Sequence, residues 1–163
     1  MKIVLRFNIL FLMLISSISC SQNNTTVDDF NFMLGNWKSE IGRKLYSKCE
    51  CHKVEKEEIK CQIVTYKRSD SSEYSIVKYH LKKESNNWVI DEEIFGTRQQ
   101  YKVFDLDKSK KRTFQVKKID SSQIFSIRKP ENDGEQNLVI ALSKDKKLIM
   151  TDYFYTFNFE KIE

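Results

Sequence analysis

IKCQIVTYKRSDSSEYSIVKYHLKKESNNWVIDEEIF, residues 59–95, alternates apolar and polar side chains with a period of two. Successive side chains of an extended chain point to opposite faces, so this rhythm marks strands with one buried face. IKCQIVTY, YSIVKYHL and WVIDEEIF are three such runs, rich in β-branched and aromatic residues. KRSDSSE and KKESNN separate them, and their Ser, Asp and Asn are turn formers.

The same pattern continues downstream. QYKVFDL (100–106), TFQVKKI (113–119), QIFSIRK (123–129), NLVIAL (137–142), KLIMTD (147–152) and YFYTFNFEKI (153–162) read as strands. DKSKK, DSS, PENDG and SKDK read as the turns between them, and the basic cluster Lys108–Arg112 falls on a solvated hairpin tip. In the last run Tyr153, Tyr155, Phe157 and Phe159 share one face, while Phe154, Thr156, Asn158 and Glu160 share the other. Short strands at even spacing, with no helical stretch between them, argue for a β-sandwich or a β-barrel.

Upstream, DDFNFMLGNWKSE (28–40) places Phe30, Met33 and Leu34 on one helical face. Asp28 or Asp29 can cap that turn, and Gly35 can end it in a left-handed conformation. A strand opening at Trp37 follows, so the turn can plug one end of a barrel with the indole packed over its floor.

Phe32-Met33-Leu34-Gly35-Asn36-Trp37 resembles the opening of lipocalin-like and fatty-acid-binding-like barrels, the calycin group. Gly35-x-Trp37 is the specific motif. The resemblance implies an all-β fold: a single antiparallel up-and-down barrel of eight to ten strands, with a short N-terminal helical turn, over residues 28–163. Those families often pack an arginine of the final strand across the tryptophan, and Lys161 stands nearest to that place. The FNFEK ending (157–161) is also similar to that of small secreted bacterial proteins described as lipocalin-like, which implies architecture rather than chemistry.

Residues 1–19 have the plan of a secretory signal peptide: Lys2 and Arg6, an apolar run from Phe7 to Ile15, then small residues. Ser17-Ile18-Ser19-Cys20 resembles a bacterial lipobox, with Ser17 where Leu is usual. It also fits an ordinary small-x-small cleavage site. Lipidation at Cys20 is the favoured reading, with residues 20–27 as a polar tether to the domain at 28–163. The expected location is the cell envelope, anchored in a membrane and facing the periplasm or the cell surface. Lys2 and Arg6 are the only charges in residues 1–19, so cleavage lowers the net charge from +5 to +3. That excess is interleaved with acidic residues, which excludes the concentrated basic face of a nucleic-acid binder. The domain is expected to be a monomer.

KCECHKVEKEEIKC (48–61) holds three of the four cysteines. Read as two strands, Cys49, Cys51 and Cys61 face inward, whereas Glu50 and His52 face outward. His52 therefore cannot join Cys51 in one tetrahedral zinc site, and no metal is expected. An exported chain favours a disulfide. A three-residue turn at Glu55-Lys56-Glu57 sets Cys51 opposite Cys61, at a separation that a disulfide can bridge. Cys49–Cys61 pairing and free or metal-bound thiols are the alternatives.

Catalytic patterns are thin. There is no GxSxG, Gly-rich phosphate loop or HExxH in the sequence. His80 lacks an orienting motif, and no histidine follows it to hold haem. Asp91 and Glu93 share a solvated face, with Glu92 opposite. A non-enzymatic protein without a cofactor is expected. The inner wall is expected to include Trp37, Tyr79, Phe114, Val116, Phe125, Ile127, Tyr155, Phe157 and Phe159, with Arg128 outside. Trp37, Tyr79, Tyr155 and Phe157 are the candidate ligand-binding residues, and a small hydrophobic molecule is the candidate ligand. A barrel with a filled core, acting through its surface as an interaction or inhibitor module, is the alternative.

Overall fold

The computed structural model describes residues 27–95, 109–128, 134–152 and 156–162. A 3-10 turn, Val27–Met33, leads into ten strands. They are β1 Gly35–Ile41, β2 Leu45–Glu55, β3 Glu58–Lys67, β4 Glu73–Glu84, β5 Asn87–Phe95, β6 Ser109–Asp120, β7 Gln123–Arg128, β8 Gln136–Leu142, β9 Leu148–Asp152 and β10 Thr156–Lys161. Each strand pairs antiparallel with its neighbour in sequence, and β1 closes on β10 through Trp37–Lys161 and Lys38–Glu160. The result is a closed ten-strand barrel, consistent with a calycin-like fold. Among the described strands, closure leaves no sheet edge for another chain to extend.

One end of the barrel is sealed by the 3-10 turn, and the reasons lie in the Gly35-x-Trp37 sequence. Phe30 and Met33 are buried, and Phe30 meets Trp88 edge-on, with ring centroids 4.7 Å apart at 70°. Trp37 Nε1 donates to the Met33 carbonyl at 3.0 Å, so the indole satisfies a backbone acceptor at the end of the turn. Gly35 has φ +119°, and a Cβ there would stand 3.2 Å from Lys161 Cε. Glycine is thus needed both for the backbone and for the close approach of Lys161. That lysine puts Nζ 5.5 Å from the centre of the Trp37 ring, where the family resemblance places an arginine.

Three sequence expectations change. The strand that was to begin at Thr113 begins at Ser109, so Lys110–Arg112 belong to β6 and not to a hairpin tip. In β7 the inner face is Ile124, Ser126 and Arg128, and Phe125 and Ile127 face out. The run QIFSIR is apolar on both faces, so its alternation alone did not fix its phase. The register does, because Ile124 and Ser126 lie opposite the buried Ile140 and Leu138 of β8. Finally, the β2–β3 hairpin has two linking residues, Lys56 and Glu57, and a register shift between Lys53 and Glu55. The extra residue in that bulge keeps the register that a three-residue turn would have set. The segments 100–106, 153–155 and 1–26 lie outside the described residues, and with them Tyr155, Cys20 and both proposed cleavage readings.

Cys51 lies opposite Cys61, and the two form a disulfide; Cys49 is a buried free thiol 3.7 Å from Cys51 Sγ. The bond closes a short loop, and chain-entropy arguments give about 3 kcal/mol for loops of this order. Removing both partners, Cys51→Ser with Cys61→Ser, should cost about that much in urea unfolding, and Cys49→Ala about 1 kcal/mol. Burial, with Glu50's charge adding to it, pushes the Cys49 thiol up to about 12. Because the thiolate is the reactive form, a Cys20→Ser chain should show no thiol to Ellman's reagent when folded and one when denatured. Rapid labelling of the folded chain would contradict this.

Candidate functional site at the charged pole of the barrel

The end opposite the 3-10 turn has a different interior. Seven polar or charged residues are buried among the described residues: Ser39, Ser47, Thr65, Glu92, Arg112, Ser126 and Gln136. All of them lie in the far half of their strands. Most are matched locally. Ser47 Oγ and Thr65 Oγ1 stand 2.8 Å apart, Ser126 Oγ donates to the Leu138 carbonyl at 2.9 Å, and Arg128 Nη1 donates to Gln136 Oε1 at 3.4 Å.

Three charges form the centre of this pole. Arg112 Nη1 lies 3.5 Å from Glu92 Oε2 and 3.5 Å from Asp152 Oδ2. The side chains are 3%, 0% and 1% exposed for Arg112, Glu92 and Asp152. Glu92 and Arg112 are direct cross-strand partners, and Tyr79 stands opposite Glu92 on its other side. Asp152 reaches the same nitrogen from β9, across the barrel. Among the described residues, the buried atoms Glu92 Oε2 and Arg112 Nε are not engaged in hydrogen bonds. Charges out of water carry a penalty of several kcal/mol each before their mutual attraction offsets it. Charge-assisted hydrogen bonds close to about 2.7–2.9 Å. At 3.5 Å the two contacts of Arg112 Nη1 are longer than that, the one to Asp152 being a hydrogen bond at the outer edge of the range.

Some side chains of the two halves differ slightly in exposure. Phe114, Ile124, Leu148 and Phe159 in the sealed half are fully buried, whereas Ile94, Phe157 and Gln136 in the far half retain 7%, 8% and 8% exposure. An eight-strand barrel is just wide enough to be filled by side chains or to hold one small molecule, and width grows with strand number. Ten strands therefore leave more interior than eight.

The candidate residues divide between the two ends. Tyr79 and Phe157 belong to the far half, and Phe157 stacks on Phe159 with ring centroids 5.4 Å apart. Trp37 is part of the sealed floor, away from the charged pole. Tyr155 lies outside the described residues. His52 is exposed on the outer face, on the opposite side of β2 from the cysteines. His80 is also on the outer face and pairs with Glu58 at 3.1 Å. Asp91 and Glu93 face outward as the alternation requires. Burial pushes the Asp91 carboxyl up, but hydrogen bonds from Lys82 and Thr113 outweigh it and hold it below the usual range.

Sequence reasoning missed Glu92, Arg112 and Asp152. Their signal was phase: each continues an apolar series, Ile90-x-Glu92-x-Ile94, Arg112-x-Phe114-x-Val116 and Leu148-x-Met150-x-Asp152. Neither a protein-family model nor a curated protein matches this chain.

Proposed function

We propose that this chain is a lipid-anchored protein of the cell envelope whose lipocalin-like barrel binds a small, mainly apolar ligand with one polar group. The observation that carries the reading is the buried Glu92–Arg112–Asp152 cluster in the far half of a mainly apolar barrel interior. A buried ion cluster is weak evidence for stability, which leaves a functional role as its reading here. The ligand's body would pack against Val77, Ile94 and Phe157, and its polar group would meet the cluster. Burial of apolar surface would drive binding at about 25 cal/mol per Å² before ordering costs. Native mass spectrometry of chain purified from its own envelope should show one co-purified small molecule. A homogeneous empty mass, together with no change in melting temperature across a panel of alkyl alcohols, amines and acids, would defeat the reading.

The surface-acting alternative draws on the tightly packed sealed half and on a half-open groove of about 500 Å³ across the outer face of β2–β6, flanked by His52, Lys60, Lys78, His80 and Lys111. In that case a stable pull-down partner would appear in place of the small molecule, and charge reversal at Lys60 and Lys78 would abolish it.

The anchor rests on Ser17-Ile18-Ser19-Cys20 and the polar stretch behind it. A single acyl chain binds membranes weakly and reversibly, and two or more hold firmly. Cells grown with labelled palmitate should yield a labelled, membrane-bound protein, and Cys20→Ser should abolish both properties. An unlabelled wild-type chain would remove the anchor from the account without touching the barrel.

A further inference from the structure

We propose that the turns joining β1 to β2 and β3 to β4 form a binding site for a phosphate group at the far rim of the barrel. Arg43, Lys44, Lys67 and Arg68 line one half-open hollow of about 550 Å³ there, and no Asp or Glu is among its described lining residues. The site is separate from the interior cluster and does not rest on the binding reading above. Two backbone features build it. Arg68 N donates to the Lys44 carbonyl at 2.9 Å, which ties one turn to the other. Between β3 and β4 the register passes from Thr65–Ser75 to Tyr66–Glu73, so Tyr74 is the extra residue of a β-bulge. Bulges re-aim side chains, and Tyr74 lines the hollow together with Leu45.

The acids near these turns are held elsewhere. Glu40 pairs with Arg68 and with Lys38. Asp70 Oδ1 accepts from Ser72 N at 2.9 Å and from Ser72 Oγ at 2.6 Å. Those hydrogen bonds, with the Lys67 charge added, hold its carboxyl below the usual range. Glu73 lies opposite Tyr66. Arg68 is fixed by Glu40 and by the Tyr46 ring, 5.9 Å from its guanidinium carbon, and forms one wall. Arg43, Lys44 and Lys67 are exposed and have no ion-pair partner among the described residues. Together they leave a positive field round the hollow, which an anion would neutralise. A guanidinium fork matches the oxygens of a phosphate, and each ammonium brings three donors. A phosphate has charge and acceptor oxygens enough to engage all three cations at once, which a lone carboxylate does not.

Titration calorimetry of the full chain with sodium pyrophosphate and sodium acetate, at about 0.15 M ionic strength, tests the site. Pyrophosphate should bind with a Kd below about 1 mM, and acetate at least about tenfold more weakly. Arg43→Gln, Lys44→Gln and Lys67→Gln combined should weaken pyrophosphate at least about tenfold. The same charge change on exposed lysines of the opposite end, Lys56→Gln with Lys144→Gln and Lys146→Gln, should leave it within about twofold. Sedimentation with vesicles of phosphatidylglycerol in phosphatidylcholine separates two sources of the phosphate. Vesicle binding that the first triple variant loses assigns a lipid headgroup, and pyrophosphate binding without vesicle binding assigns a free phosphorylated molecule. Acetate binding as tightly as pyrophosphate, equal losses in the two triple variants, or no phosphate binding that depends on Arg43, Lys44 and Lys67 would overturn the proposal.

Discussion

Arg112→Ala should lower the unfolding free energy by about 3–5 kcal/mol, the range for removing one partner of a buried ion pair. The loss is not that of two favourable contacts. Truncation leaves Glu92 and Asp152 in the interior without the countercharge of Arg112, so less of their desolvation penalty is offset. The asymmetry is testable. Glu92→Gln alone leaves Arg112 beside Asp152 and should cost clearly less. Arg112→Met combined with Glu92→Gln and Asp152→Asn removes every charge and should recover much of the loss. Acidification should relieve Arg112→Ala, because a protonated carboxyl is neutral and easier to bury. Urea unfolding of the three variants and the wild type decides the matter. An Arg112→Ala chain as stable as the wild type would mean that the three charges are not buried together.

Trp37→Ala should cost a similar amount, about 3–5 kcal/mol, as for other buried large aromatics. Three losses coincide. The cavity opens in the tightest part of the barrel, beside the fully buried Phe30 and Phe159. The Met33 carbonyl loses its indole donor. Lys161 loses the ring beneath its ammonium. Trp37→Phe keeps much of the volume but neither the N–H nor the full ring face, so it should fall between. Because the 3-10 turn is held by Phe30, Met33 and this hydrogen bond, Trp37→Ala should also speed proteolysis near residues 27–34. Denaturant midpoints and limited proteolysis check the two parts separately.

The architecture was legible because one signal repeats through the chain. Period-two alternation showed which residues of β2 and β3 face inward, and it set Cys51 opposite Cys61 even though the turn between them has one residue fewer than expected; in β4, where His80 shares a face with Ile76 and Lys78, it left the side open. The Gly35-x-Trp37 motif was legible for a stereochemical reason, since a positive φ and a close lysine both demand glycine. Where both faces of a strand are apolar, as in QIFSIR, alternation carries no phase, and only the neighbouring strand's register settles it. Arg112 was misplaced for a related reason. KSKKR looks like a solvated turn by composition, yet its last residue falls in step with Phe114 and Val116. Hydrophobicity rules read a charged residue as surface, and a buried cluster is the case in which three such readings fail together. Glu92 was placed opposite Asp91 and Glu93 correctly, but its partners come from β6 and β9, which no local pattern connects.

The central claim is that the charged pole of the barrel interior seats a small ligand. Methyl-resolved NMR of the full chain, labelled at Ile, Leu and Val and titrated with alkyl alcohols, amines and acids, tests it most directly. The account predicts that at least one of them shifts Ile94 and Val77, beside Glu92 and Arg112, with Ile59, Leu148 and Ile140 of the sealed half unmoved. Shifts spread over outward-facing methyls such as Ile127 and Val54, or no shifts with any of the three at the highest concentration reached, would contradict it.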